Sequence, residues 1–183
     1  MGYETAFKKA WEELSKFKPA TNLSVKFMAD EYSVDIGEGR ILSLSCNAPA
    51  KELVSILILH YLAQKIKGLA APIGKWLTFR ELSGVEGYYE AYHKRCIEPV
   101  IRKYGKNPDA VKEVLGRLPA ELAEGGDVAI QIEAFANVPV LIKLWKADSE
   151  FGPDANMYFD AGIKDIFCIE DIIVLAGLVA AGL

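Results

Sequence analysis

The sequence predicts an α+β fold, with helices packed on antiparallel sheet. Three observations carry that class. Apolar residues recur at three-and-four spacing in some segments and at alternate positions in others. The alternating segments fall in adjacent runs joined by short turns, as hairpins do. The order α-β-β-β-α-α-α-β-β-(β)-α also lacks the regular strand–helix alternation of a parallel sheet. A chain of 183 residues is long enough for a substantial core. No linker, repeat or low-complexity stretch interrupts it, so a single domain over residues 1–183 is expected.

Residues 3–17 place Tyr3, Phe7, Ala10, Trp11 and Leu14 on one helical stripe, and Pro19 stops the helix. The runs 23–29, 32–36 and 40–45 then alternate. Val25 and Phe27, Tyr32, Val34 and Ile36, and Leu42 and Leu44 are expected to share one buried face. Asp30-Glu31 and Gly37-Glu38-Gly39 are the turns expected between these strands. Asn47-Ala48-Pro49 opens a second helix, with Asn47 as cap and Pro49 in the first turn. That helix runs to about Lys67, ends at Gly68, and is apolar nearly all round, which assigns it to the core.

A third helix is expected over 88–104, interrupted by Pro99, and a short fourth over 108–118. After Gly125-Gly126, strands 128–135 and 138–146 form a hairpin turning at Asn137. Residues 155–159 add a strand and 170–181 a closing helix.

Composition narrows the function classes. With 21 basic and 25 acidic side chains the net charge is -4, which argues against a nucleic-acid partner. The group Lys94, Arg95, Arg102, Lys103 and Lys106 reads as a solvated helix face. The start Met1-Gly2-Tyr3-Glu4 has no apolar run of a secretory signal, and Ala6 stands where myristoylation requires Ser or Thr. The most apolar stretch, residues 172–183, is too short for about 30 Å of hydrocarbon, so no membrane partner is expected. Cys46, Cys96 and Cys168 are odd in number and widely spaced, which suits a reducing cytoplasm.

The segment from Gly74 to Tyr89 concentrates chemistry. Lys75, Trp76, Phe79, Arg80, Glu81, Glu86, Tyr88 and Tyr89 crowd between two expected helices. Gly68 to Lys75 fails the phosphate-loop spacing, and Trp76 occupies the hydroxyl position. Gly84-Val85-Glu86-Gly87 precedes a helix, where backbone N–H groups can meet an anion, but Glu86 opposes one. Arg80, with its rigid two-pronged donor, is the strongest candidate for holding a carboxylate or phosphate; the competing reading pairs it with Glu81, Glu86 or Glu90. Trp76, Phe79, Tyr88, Tyr89 and Tyr92 read as core more readily than as a ligand platform. His93 and Cys96 lie three apart but lack two further ligands, so no metal site is assigned; His60 reads as a core histidine. Residues 148–154 lack calcium-loop spacing, while Asp154, Asn156 and Asp160 are candidates to cluster on folding.

Gly74-Lys75-Trp76, Phe79-Arg80-Glu81-Leu82, Gly87-Tyr88-Tyr89, Leu144-Trp145, Asp148, Glu150-Phe151, Ala155-Asn156, Phe159-Asp160 and Glu170-Asp171 together resemble an uncharacterised prokaryotic domain-of-unknown-function family. The resemblance covers nearly the whole chain. Some relatives in that family join the domain to a cysteine-rich iron–sulfur module, which implies a redox or corrinoid association. Three scattered cysteines cannot form a four-thiolate site, and the family supplies no catalytic residues or cofactor to carry over.

Three readings follow. The first is a cytoplasmic small-ligand or cofactor-binding module using Lys75, Trp76, Arg80, Glu81, Tyr88 and Asp160. The second is an interaction domain for an iron–sulfur or corrinoid protein, which an exposed patch at Trp145 or Phe151 would support. The third is an enzyme with Glu81, Glu86 or Asp160 as acid–base groups, which requires those carboxylates to converge in a cleft.

Overall fold

The three-and-four spacing at the start of the chain does form a helix. In the computed structural model, which describes residues 2–183, α1 spans Gly2–Ser15 and buries Ala10 and Leu14. Phe7 and Trp11, one turn apart, meet edge to face at 6.1 Å, an arrangement that ring quadrupoles favour. The chain divides into two compact units, Met1–Ala71 and Pro72–Leu183. Each combines helices with its own antiparallel sheet, as the α+β class requires.

The sheet of the first unit runs in sequence order: β1 (Asn22–Phe27), β2 (Asp30–Asp35), β3 (Arg40–Ser43) and β4 (Ala48–Pro49). Its first turn is Met28-Ala29, not the expected Asp30-Glu31. Phe27 pairs with Asp30, so Asp30 and Glu31 belong to β2, and Met28 takes the left-handed conformation at φ 52°. The buried face of β3 is also one residue away from expectation. Val34 pairs with Ile41, and Ile41 and Ser43 turn inward with Val25, Phe27 and Val34. Leu42 is half-buried and Leu44 is 53% exposed. Side chains alternate with period two, so a single step of register exchanges the faces. Buried Ser43 is accommodated because its hydroxyl donates to Asp30 Oδ2 at 2.6 Å.

Asn47 does not cap the second helix. It sits at φ 49° in the turn between β3 and β4, and Ala48 and Pro49 pair with Ser43 and Leu42. Pro49, lacking an N–H, suits this edge position. α2 (Glu52–Gly68) begins three residues later, with Lys51 at its N-cap, and Gly68 ends it at φ 103°. From Val54 to Ala63 it is buried except at His60, and it packs on α1 and β1. Near its end Lys67 lies 3.6 Å from Glu13 and 5.2 Å from the Phe17 ring.

The second unit is built on a five-stranded antiparallel sheet in the order β5-β9-β8-β7-β6. Its centre is the expected hairpin: β7 (Val128–Phe135) and β8 (Val138–Trp145), turning where Asn137 takes φ 63°. β9 (Asp154–Asp160) extends the expected strand by one residue at each end. The edges, β5 (Trp76–Thr78) and β6 (Ala120–Ala123), have no counterpart in the sequence reading. Gly126, at φ 61° before β7, is required because a Cβ there would lie 2.6 Å from the Leu144 carbonyl oxygen.

Ile130, Ile132, Val140, Ile142, Met157 and Phe159 form the buried side of this sheet. The expected third helix is α3 (Tyr89–Tyr92), a π turn His93–Ile97, and α4 (Glu98–Tyr104). Pro99 has no N–H to return to the carbonyl of Arg95, and the helix widens ahead of it. This helical stretch packs against β9 and against α5 (Ile169–Gly182). Residues 108–116 form a 3-10 helix where a short α-helix was expected. Among the described residues no helix is long and apolar enough to cross a membrane.

The β3 register yields a direct test. Ile41→Ala should cost about 2–4 kcal/mol in urea unfolding, and Leu44→Ala less than about 0.5 kcal/mol. The opposite ranking would contradict the register.

Candidate functional site

The concentrated segment 74–89 is drawn onto β9 by strand pairing. Trp76 pairs with Asp160 and Thr78 with Tyr158, so these four residues share one face of the sheet. Asp160 is 4% exposed. Its carboxylate accepts backbone N–H bonds from Ile73 at 3.0 Å, Gly74 at 2.7 Å and Gly162 at 2.9 Å. The Ala161 N–H donates to the Lys75 carbonyl at 2.8 Å. A buried charge is tolerable when hydrogen bonds replace its water, and these donors do so while tying residues 73–75 to the end of β9.

The remaining residues of the segment are engaged nearby. Glu81 Oε2 accepts from the Thr78 N–H at 2.7 Å and the Thr78 hydroxyl at 2.8 Å. Those two bonds hold the Glu81 carboxyl below its usual range, so it stays ionised where a general acid needs a proton. Arg80 is exposed and its guanidinium lies 3.8 Å above the Tyr89 ring. Its partner is therefore an aromatic face; such a contact contributes about 0.5–1 kcal/mol at an exposed site. Tyr88 donates its hydroxyl to Glu170 Oε1 at 2.6 Å, at the start of α5. This bond lowers the Glu170 carboxyl and raises the Tyr88 phenol. The Lys75 side chain is exposed and Trp76 half-buried.

Two of the five aromatic residues singled out in the sequence belong to the core. Phe79 and Tyr92 are buried and stacked at 4.0 Å, with Phe159 at their edge. His93 and Cys96 do not act together. His93 Nδ1 lies 3.6 Å from Glu98, while the Cys96 thiol donates to the Ile173 carbonyl and is pushed by burial to about 12. Among the described residues no three His, Cys, Asp or Glu side chains are grouped to hold a metal ion.

Asp154 and Asn156 lie toward the opposite end of β9 from Asp160, so that candidate cluster does not form. They line a different feature, a cleft of about 580 Å³ at the Trp145 end of the strand. Trp145 and Asp154 are the last pair of the β8–β9 ladder, and residues 146–153 loop between them. Asp148 organises the loop: its Oδ1 accepts from the Glu150 N–H at 2.8 Å and the Phe151 N–H at 2.7 Å, and its own N–H donates to the Phe151 carbonyl. The two bonds hold its carboxyl below the usual range. Asp127 Oδ2 accepts from the Lys146 N–H at 2.7 Å and fixes the start of the loop. Phe151 is thereby held 71% exposed at the cleft.

Asp148, Phe151, Trp145 and Asn156 stood among the residues that carried the family resemblance, whereas Asp127 and Lys146 carried no sequence signal. A second depression of about 450 Å³ is lined by Pro72, Pro119, Pro139, Glu121, Gln131 and Glu133. There Gln131 donates to Glu121 at 3.1 Å, and Glu133 accepts from the Asn137 N–H.

A family model described as Domain of unknown function (DUF3786) matches residues 10–181, and the chain belongs to that family. No curated protein and no solved structure matches the chain.

Asp160→Ala removes the acceptor from three backbone N–H groups. It should lower stability by about 2 kcal/mol and speed hydrogen exchange at Ile73 and Gly74; unchanged exchange would refute the clamp. Tyr88→Phe should move the Glu170 carboxyl upward, toward its ordinary range, in an NMR titration. Because Glu170 is lowered in the folded chain, its stabilising contribution is present above the unfolded carboxylate range and is lost as pH falls through the folded value. The Phe variant should lose the part of this pH dependence that the Tyr88 bond supplies.

Proposed function

We propose that this member of the family is a binding module for a small organic molecule, seated in the cleft bounded by Trp145, Phe151, Asp127, Asp148, Asp154 and Asn156. The supporting observation is the cleft itself. Its volume of about 580 Å³ falls among ligand pockets, which run about 300–1,000 Å³ and pair apolar or aromatic walls with a few fixed polar groups. Phe151 is held out by a hydrogen-bonded loop, so a ligand meets an aromatic surface whose ordering cost is already met within the fold.

On this reading the segment first singled out serves as the brace of the site's sheet. Asp160, Glu81, Arg80 and Tyr88 each hold a local element, and Lys75 and Trp76 join the edge strand to β9. A second reading, docking of a partner protein, draws support from the 71% exposure of Phe151.

Amide and indole NMR spectra recorded with mixtures of small metabolites test the first reading. Binding should shift the Trp145 indole, the Phe151 amide and the Asn156 side-chain amide and leave the Trp76 indole in place. Phe151→Ala should weaken a hit about tenfold or more, as loss of an aromatic anchor does. Failure of every compound at millimolar concentration, or shifts centred on Trp76, would overturn it. The partner reading alone would survive the first of those outcomes.

A further inference from the structure

We infer that the ligand of this cleft is an organic cation: a quaternary ammonium, a primary ammonium or a guanidinium group. This inference rests on the binding-module reading and adds the chemical class.

The charges lining the cleft are unbalanced. Asp127, Asp148 and Asp154 contribute three carboxylates, against which the lining set offers one cation, Lys146. The Lys146 ammonium is drawn away: its Nζ lies 3.2 Å from Asp109 Oδ2, and Asp109 belongs to the 3-10 segment Pro108–Gly116 outside the lining. The carboxylates are also fixed and incompletely engaged. Asp127 binds the Lys146 N–H through Oδ2, Asp148 binds the loop through Oδ1, and Asp154 binds the Ala155 N–H through Oδ1. Each keeps a second oxygen able to take a donor from a ligand. An anion would meet three like charges, and the N–H groups of Lys146, Glu150, Phe151 and Ala155 are already committed to aspartates.

The aromatic residues point to the same class. Trp145 and Phe151 both line the cleft, and ring faces attract ammonium and guanidinium groups, Trp most strongly. A bare metal ion is a poorer fit. It needs several donors converging at roughly 2–2.6 Å, and among the described residues no such group exists. A larger organic cation can engage a ring face and carboxylates that are separated from each other.

The experiment titrates the whole chain with choline, phenethylamine and agmatine, and with 3,3-dimethyl-1-butanol as the uncharged isostere of choline. Calorimetry gives affinity and the Trp145 indole signal gives location. At least one cation should bind in the cleft, and where that cation is choline the isostere should bind about tenfold more weakly or not at all, a difference worth about 1.4 kcal/mol. Affinity should fall as salt rises, because exposed charge pairs are screened. Asp154→Asn, which preserves shape and the carbonyl acceptor, should weaken the cation severalfold and leave any neutral ligand unaffected. If the isostere matches choline, or if neutral or anionic compounds shift Trp145 while all three cations do not, the cation assignment falls and the binding-module reading stands. If no compound of any charge shifts Trp145, both fall together.

Discussion

A buried carboxylate must find donors, and the way Asp160 finds them organises the edge of the second unit's sheet. Three backbone N–H groups converge on it, two from the chain entering β5 and one from the turn leaving β9. β5 has three residues, far too few to persist as a strand on its own ladder bonds. Its register against β9 begins at Trp76–Asp160, beside this clamp, and ends at Thr78–Tyr158, where Glu81 closes the following turn back onto Thr78. Charge at each end of a short edge strand thus supplies the order that length does not. The arrangement also engages the backbone N–H groups of residues 73 and 74.

The helical layer behind β9 depends on the same register. Phe159 points inward because Asp160 points toward the clamp, and Phe159 is the ring against which Tyr92 and Phe79 assemble. Tyr92 belongs to α3, whose neighbour Tyr89 carries the Arg80 guanidinium. The aromatic and basic residues that stood out in the sequence are therefore one continuous packing unit, in which polar groups close the ends and rings fill the interior.

Much of this fold was legible because period is written in sequence. The stripe Phe7, Ala10, Trp11, Leu14 and the hairpin around Asn137 needed no information beyond spacing and turn chemistry. Phase was less legible. Ile41-Leu42-Ser43-Leu44 alternates equally well either way, and two leucines made the wrong face look more apolar; the partner strand decides, through Val34–Ile41 pairing and an aspartate able to satisfy Ser43. Asn47 illustrates a related ambiguity. The tolerance for unusual backbone that makes asparagine a good cap also suits it to a left-handed turn, and only the pairing of Ala48 and Pro49 with β3 distinguishes the two. β5 was invisible because a strand of three residues has no period to detect, and β6, Ala120-Glu121-Leu122-Ala123, offers a single large apolar side chain. At the site, Arg80 was readable as a residue needing a partner, but acid and aromatic partners compete. In the fold Arg80 lies over Tyr89, while Thr78 holds Glu81.

β9 then explains why the cleft lies where it does. At the Asp160 end the carboxylate is buried and both of its oxygens accept backbone amides, so it offers a ligand little access. At the Asp154 end three carboxylates each organise a loop or strand terminus with one oxygen, and the lysine among them is held by Asp109. Fixing a loop by its backbone leaves side-chain charge unpaired, because an amide supplies a dipole and not a countercharge. The charge that makes the loop rigid thus stays unneutralised at the cleft, and the exposed ring of Phe151 is held in place by the same aspartate that contributes to that field.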